Sequence, residues 1–323
     1  MKTRILIAIT LLAIACNEDA NPEQDNTVHL AGIIDNGTDG GLGSYWKNGL
    51  YSRLGDEDKA SRPSSLYVEN SSVLIGGSKQ GTPTRAVIWK DGVENIIDNS
   101  FGAGAIAASK GGKLYATWFD LTLRWVYLKD DVRQPIIDTA LNFQPTALAL
   151  QDDDLFIAGN AVEPTTDGDP HAQTWKNGQL TFREDEVSYT TSIFIHGSDV
   201  YMGGYLYNRH GTNVACYWKN GKRIDLGEAG IKSMAKSIYV TDDHIYIAGM
   251  INDQAVYWKD GQPIYLTTEG IHSMGNAISV QGDDVHVAGT EHNYPAYWKN
   301  DVKQDISNQD KRGRIDFITV GSN

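Results

Sequence analysis

Tyr257-Trp258-Lys259-Asp260-Gly261 returns almost unchanged as Tyr217-Trp218-Lys219-Asn220-Gly221, and this stretch decides the fold. Its Trp position recurs at Trp46, Trp89, Trp175, Trp218, Trp258 and Trp298, with Leu128 standing in at the third of seven copies. The six intervals between 46 and 298 average 42 residues. Asp-Gly or Asn-Gly behind an aromatic-rich run supplies the positive φ angles that a two-residue hairpin needs. A period of about 40–45 residues with several strands per copy is the signature of propeller blades.

Working outward, the copy from Lys236 to Leu266 reads as four strands. Ser237–Val240 is a short apolar run that ends in Thr241-Asp242-Asp243, a turn. His244–Gly249 follows, then Ala255–Trp258 closed by Lys259-Asp260-Gly261, then Pro263–Leu266. β-Branched and aromatic residues fill these runs, as pleated and half-buried positions require. The first copy lacks its first strand, because Val28-His29-Leu30-Ala31-Gly32 already matches the second strand Val285-His286-Val287-Ala288-Gly289. The C-terminus supplies the missing piece, since Asp316–Val320 aligns with Lys236–Val240. The expectation is an all-β, seven-bladed β-propeller of four-stranded blades, closed by pairing the C-terminal strand with the N-terminal strands. Such pairing removes two exposed sheet edges.

The 323 residues carry a net charge of −13, with 33 Gly and 9 Pro. That field repels phosphate backbones, so nucleic acid is excluded as a partner. Lys2 and Arg4 precede an apolar run from Ile5 to Ala15, too short to span a bilayer. The run ends in Ala13-Ile14-Ala15-Cys16, which resembles a bacterial lipobox, although the family usually has Leu where Ala13 stands. The resemblance implies a signal peptide over 1–15, lipidation of Cys16 and a membrane anchor that needs no spanning helix. Residues 16–27 read as a flexible tether and 28–323 as the propeller. Asn17-Glu18-Asp19 behind the Cys is similar to the surface-export signals of some Gram-negative lipoproteins. The expected location is the cell envelope of a Gram-negative bacterium, on the outer membrane, with a periplasmic or a surface orientation left open. The remaining Cys216 sits on an apolar strand and reads as a small buried hydrophobe.

The repeat Ala-x-x-Trp-Lys-x-Gly, followed by Ser-x-x-x-Ala-Ile and Val-x-Val-Ala-Gly, resembles the HAF repeats of secreted bacterial proteins. Val200-Tyr201-Met202-Gly203-Gly204 is similar to kelch blades. These resemblances cover residues 28–320 and imply fold and an extracytoplasmic setting. Such families host many roles, so no activity is carried over.

Tight turns occupy one face of the expected ring, and loops of variable length and chemistry occupy the other. Function concentrates on variable loops held by a rigid scaffold, which places any site on the second face. Two rings of residues surround its opening. Ser64, Gly104, Thr146, Thr191, Lys236, Asn276 and Asp316 align just before each inner strand. Arg62, Gly102, Gln144, Tyr189, Met234, Met274 and Arg314 lie two residues earlier. The axial candidates are Arg62, Tyr189, Lys236, Asn276, Arg314 and Asp316. Blade three departs most: where six copies have Gly (Gly32, Gly77, Gly159, Gly204, Gly249, Gly289) it has Trp118. An exposed Trp118 beside Asp120 and Arg124 would suit stacking on a sugar or a partner. The other reading is compensation for Leu128. Tyr205, Arg209 and His210 lie in the matching loop of another blade. A Tyr/His/Arg set is also the equipment of a polysaccharide lyase.

No zinc set, phosphate loop or nucleophile elbow is present, and the paired Asp residues recur at hairpin turns. The reading therefore assigns no catalytic residue, metal or cofactor. It expects a monomeric binding or scaffolding module for a protein or glycan partner, with an envelope carbohydrate-active enzyme as the rival.

Overall fold

A computed structural model describes residues 26–37, 40–100, 106–111, 113–120, 125–129, 132–136, 142–162, 168–207 and 212–321. These residues form seven antiparallel sheets of four strands each, and the inner strands contact one another around a closed ring. The chain is a seven-bladed β-propeller. Its first blade combines Val28–Ile34, Leu42–Lys47 and Leu50–Arg53 with the last strand, Gly313–Val320, and blades two to seven follow in chain order, with inner strands beginning at Ser61, Ile106, Asn142, Ser188, Ser233 and Ser273. Val28 faces Val320 and Ile34 faces Gly313, so the first and last strands zip along their full length. In the hairpin turns, Asn220 and Gly221 have φ of 50° and 78°, and Asp260 and Gly261 have 51° and 81°. Two successive positive φ angles give the turn whose twist matches the flanking strands.

The inner strands are longer than the sequence pattern indicates. Ser233–Val240, for instance, starts four residues before the apolar run at Ser237. The cause is a bulge. Between Ala235 and Ser237 the register shifts by one, so Lys236 has no partner across the ladder. The same shift isolates Ser64, Thr146, Thr191, Asn276 and Asp316. These residues therefore lie within the inner strands and not ahead of them. A bulge bends the strand and re-aims the unpaired side chain. Gly104, the seventh of the set, lies outside the described residues.

The bulge also explains the recurring glycines. A β-carbon on Gly249 would run into the Met234 carbonyl oxygen, and one on Gly204 into that of Tyr189. Gly32, Gly77, Gly159 and Gly289 meet the equivalent carbonyl in their own blades.

Each Trp packs its indole between its own blade and the preceding one. Trp258 lies with Tyr201 and Ala215 of blade five, and Trp298 with Tyr246 and Ala248 of blade six. Burying such rings contributes to the inter-blade cohesion. A hydrogen bond joins neighbours as well. The Ala215 amide donates to the Ser233 hydroxyl of the next blade at 3.0 Å, and Ala255 donates to Ser273 at 2.8 Å. Gly43, Ala86 and Ala172 donate in the same way to Ser61, Ser100 and Ser188. Each hydroxyl satisfies an amide at the outer edge of a buried seam, where an unpaired group would be costly.

Candidate functional site

Turns between strands three and four lie at the start of the second strand: the Asn48 amide donates to the Val28 carbonyl at 2.8 Å. Loops between strands two and three lie at the other end, beside the start of the inner strands, as in Asn252 N–H to Lys232 at 2.8 Å. This second end is the loop-rich face. Arg62, Tyr189, Met234, Met274 and Arg314 each occupy the second position of an inner strand there.

At that face a cavity of about 450 Å³ opens where the first blade meets blades two and seven. Arg62, Arg312 and Arg314 line it, with Asp35, Thr290 and Asn293. Backbone bonds hold its walls together. The Asp35 amide donates to the Arg312 carbonyl at 2.7 Å, and the Gly313 amide to the Asn293 carbonyl at 2.8 Å. Arg62 Nε donates to the Gly40 carbonyl at 3.3 Å, and Arg314 Nε to the Asp316 carboxylate at 2.8 and 2.9 Å. Among the described residues the Arg312 side chain has no hydrogen bond or ion pair. Three arginines line one concavity on a strongly acidic chain, against Asp35 and with Arg314 paired to Asp316. The site is legible only in part from sequence. Arg62 and Arg314 stand in the predicted mouth ring, whereas Arg312, Asp35 and Asn293 arrive from three separate loops and Thr290 from the strand Asp284–Glu291, and these four were not anticipated.

Below the mouth the bulged residues form a polar network. Thr191 Oγ1 donates to the Ala235 carbonyl at 3.0 Å, and Asn276 Nδ2 to the Ile315 carbonyl at 2.9 Å, each reaching the next blade. Desolvation lowers the pKa of the Lys236 ammonium, while Asp316 raises it and Arg314 lowers it further. Lys236 and Asp316 belong to blades six and one, so this coupling passes over blade seven near the axis.

Blade three corrects one expectation. Trp118 is not exposed: it is 5% accessible and packs with Leu74, Ala86, Ile88 and Val126, with Leu128 against the same cluster. Leu128 leaves the usual indole volume short, and Trp118, where other blades have Gly, fills it from the adjacent strand. No ring face is left for stacking on a ligand. The Arg133 guanidinium carbon lies 5.6 Å from the Trp118 ring centroid, and Arg133 pairs with Asp120. Asp120 is itself buried, at 2% accessibility, and so is not offered to solvent. Arg124, Arg209, His210 and Cys16 lie outside the described residues.

In blade five Tyr189 and Tyr205 face each other across the ladder and stack at 5.4 Å, with Tyr207 edge-on to Tyr189 at 5.6 Å. Burial, with the neighbouring phenols, pushes the Tyr205 pKa up to about 12. Burial, then Tyr207 and Asp169, also raises that of Tyr189. Both stay protonated at neutral pH and can donate hydrogen bonds but are poor bases. Cys216 is fully buried, and desolvation pushes its thiol pKa up, which makes it inert. Among the described residues no group of three or more His, Cys, Asp or Glu could hold a metal ion.

No protein-family model matches this chain, and no curated protein matches it in sequence. Solved structures do match in fold. The β-propeller domain of the Trilobed protease from Pyrococcus furiosus has a TM-score of 0.51 at 10% identity, covering 88% of this chain and 96% of that one. That propeller is described as having an open velcro topology, whereas the ladder between Val28–Ile34 and Gly313–Val320 closes the ring here. A PL25 polysaccharide lyase, an ulvanlyase, gives 0.52 at 13% identity, covering 91% and 92% of the two chains. A puromycin-hydrolysing peptidase of Mycobacterium tuberculosis gives 0.50 at 10% identity, covering 76% and 47%. The chain spans about half the length of that peptidase. At these identities the likeness establishes fold alone.

Proposed function

We propose that this propeller is a noncatalytic binding or scaffolding module, held outside the cytoplasm by a lipid at Cys16, which engages a glycan or protein partner on its loop-rich face. The observation that carries this reading is the cavity at the first blade. It is concave, it opens on the loop-rich face, and two inner strands form part of its wall through Arg62, Gly313 and Arg314. Its volume of about 450 Å³ falls within the range of small-ligand sites, roughly 300–1,000 Å³.

The chain direction suits an anchor. Val28 lies at the turn-bearing end of its strand, where its amide donates to Asn48 Oδ1 at 2.8 Å. A tether over residues 16–27 would leave from that side and point the loop-rich face away from the membrane. Twelve extended residues reach about 40 Å. Among the described residues no helix is long and apolar enough to cross a membrane.

The rival reading is an envelope polysaccharide lyase, favoured by the fold shared with the ulvanlyase. Of the Tyr205, Arg209 and His210 set, Tyr205 lies among the described residues, and the burial that raises its pKa to about 12 disfavours the phenolate that a proton abstractor needs.

The test is a thermal-shift screen of the soluble domain from residue 20 against glycans and envelope extracts. A ligand that binds only the native state raises the melting temperature. A screen in which nothing raises it would contradict the binding role.

A further inference from the structure

We infer that the cavity formed by Arg62, Arg312 and Arg314 is a subsite for an anionic sugar, one carrying a carboxylate or a sulfate ester. The inference rests on the binding role proposed above and names the chemistry of its ligand.

Three observations lead to it. First, the charge is local and runs against the whole molecule. The chain carries −13, yet three of its 28 basic side chains share one cavity. Clustering like charges costs energy unless an anion offsets it. Two carboxylates are near. Asp316 is already held by Arg314 Nε, and the Asp35 side chain accepts the Gly37 amide at 2.7 Å. Neither forms an ion pair with Arg62 or Arg312 among the described residues.

Second, the guanidinium groups are partly tethered in a way that leaves their forks available. Arg62 and Arg314 each spend Nε on a protein acceptor. Their terminal nitrogens, two on each side chain, remain as a planar pair of donors. That geometry matches carboxylate and sulfate oxygens. Tethering through Nε also reduces the rotamer entropy lost on binding.

Third, the cavity suits a sugar better than a protein surface. About 450 Å³ accommodates one or two sugar rings. A stable protein interface would instead need a patch of about 800 Å² per partner. Asn293 adds an amide to the lining, and the Thr290 hydroxyl, which donates to the Tyr294 carbonyl at 3.1 Å, can still accept from a neutral sugar hydroxyl.

The site also depends on closure of the ring. Arg314 and Gly313 lie on the C-terminal strand, Asp35 follows the N-terminal strand, and Arg62 lies on the next inner strand. The subsite exists only when the chain ends are paired.

The test is calorimetric titration of the folded domain with four probes: oligogalacturonate, a chondroitin sulfate oligosaccharide, neutral dextran and a polyglutamate peptide. The expected result is binding of one or both acidic glycans, weakened by added salt, and no binding of dextran. Preference between the two acidic glycans separates carboxylate from sulfate. Arg312→Gln and Arg62→Gln should each weaken that binding about tenfold or more, as loss of a charged hydrogen bond does. Arg62→Lys should recover only part, because an ammonium lacks the fork. Arg312 is exposed, so its variant keeps the test readable if the Arg62 variant folds poorly. Dextran binding as tightly as the acidic glycans would overturn the inference, as would acidic-glycan binding that the Arg312→Gln and Arg62→Gln variants retain. Polyglutamate binding in place of both glycans would overturn the sugar assignment. A ligand that raises the melting temperature yet is indifferent to these arginines would refute this subsite and leave the broader binding role standing.

Discussion

Gly249 and Trp258 share one volume. A β-carbon added to Gly249 would stand 2.8 Å from the Trp258 ring, and the Gly204–Trp218 pair repeats that spacing. The absent side chain on the second strand makes room for the indole of the third, while the bulge carbonyl closes in from the inner strand. Gly249→Ala should therefore destabilise the protein by about 1–3 kcal/mol, the cost of overpacking a filled core. Chemical denaturation would show this as a lower midpoint with an unchanged slope.

The same relationship predicts the behaviour of blade three. Trp118→Ala should lower stability by about 3–5 kcal/mol, as truncation of a buried aromatic does. It should leave affinity for any loop-face ligand unchanged. The double variant Trp118→Gly with Leu128→Trp restores the arrangement of the other blades. Melting curves should place it above Trp118→Gly alone. A double variant no more stable than the single one would rule out the exchange.

Much of the architecture is legible in sequence, because each blade repeats the same chemistry at the same offset. Asn220-Gly221 and Asp260-Gly261 announce hairpins, and Asp316–Val320 announces the missing strand. The bulge at Lys236 is not legible, since two residues facing one changes neither composition nor apolar pattern. The alignment still isolates Lys236 and its counterparts, because a constant bulge is a constant offset. Trp118 leaves two readings open in sequence for a physical reason. Its place near a loop suggests exposure, but the vacancy that buries it is created ten residues later, at Leu128. The cavity is the least legible feature. Arg312, Asp35, Thr290 and Asn293 meet only after the ring has closed, and nothing in their spacing encodes that meeting.

Closure makes a prediction of its own. Deleting residues 314–323 removes most of Gly313–Val320 and exposes the edge of Val28–Ile34. Aggregation or a broad, lowered melting transition should follow, as unpaired edges invite new pairing. A soluble truncation with the parental melting curve would contradict the role of this ladder.

Stability should also fall with acid through His286. The imidazole is buried at 3% accessibility, and its Nδ1 lies 2.7 Å from the Tyr297 hydroxyl. Burial, aided by Lys299 and opposed by Asp284, lowers its pKa from 6.5 to about 4. Because the folded value is the lower one, the unfolded chain binds the proton first. The contribution is whole above pH 6.5 and is lost as pH falls towards 4. Across that window the loss is on the order of 3 kcal/mol. Urea midpoints at both ends should fall more for the wild type than for His286→Gln. Equal pH dependence in the two proteins would show that His286 does not titrate in this way.

The central claim is that the loop-rich face binds an acidic glycan without cleaving it. The most direct measurement follows one mixture of protein and acidic oligosaccharide by two readouts, the melting temperature and the ultraviolet absorbance of unsaturated sugar products. At a ligand concentration of about 100 Kd, native-state binding should add roughly 2.7 kcal/mol of stability. The account predicts a raised melting temperature and a flat absorbance trace. An absorbance that climbs in proportion to protein concentration, or a melting temperature that no acidic glycan moves, would contradict it.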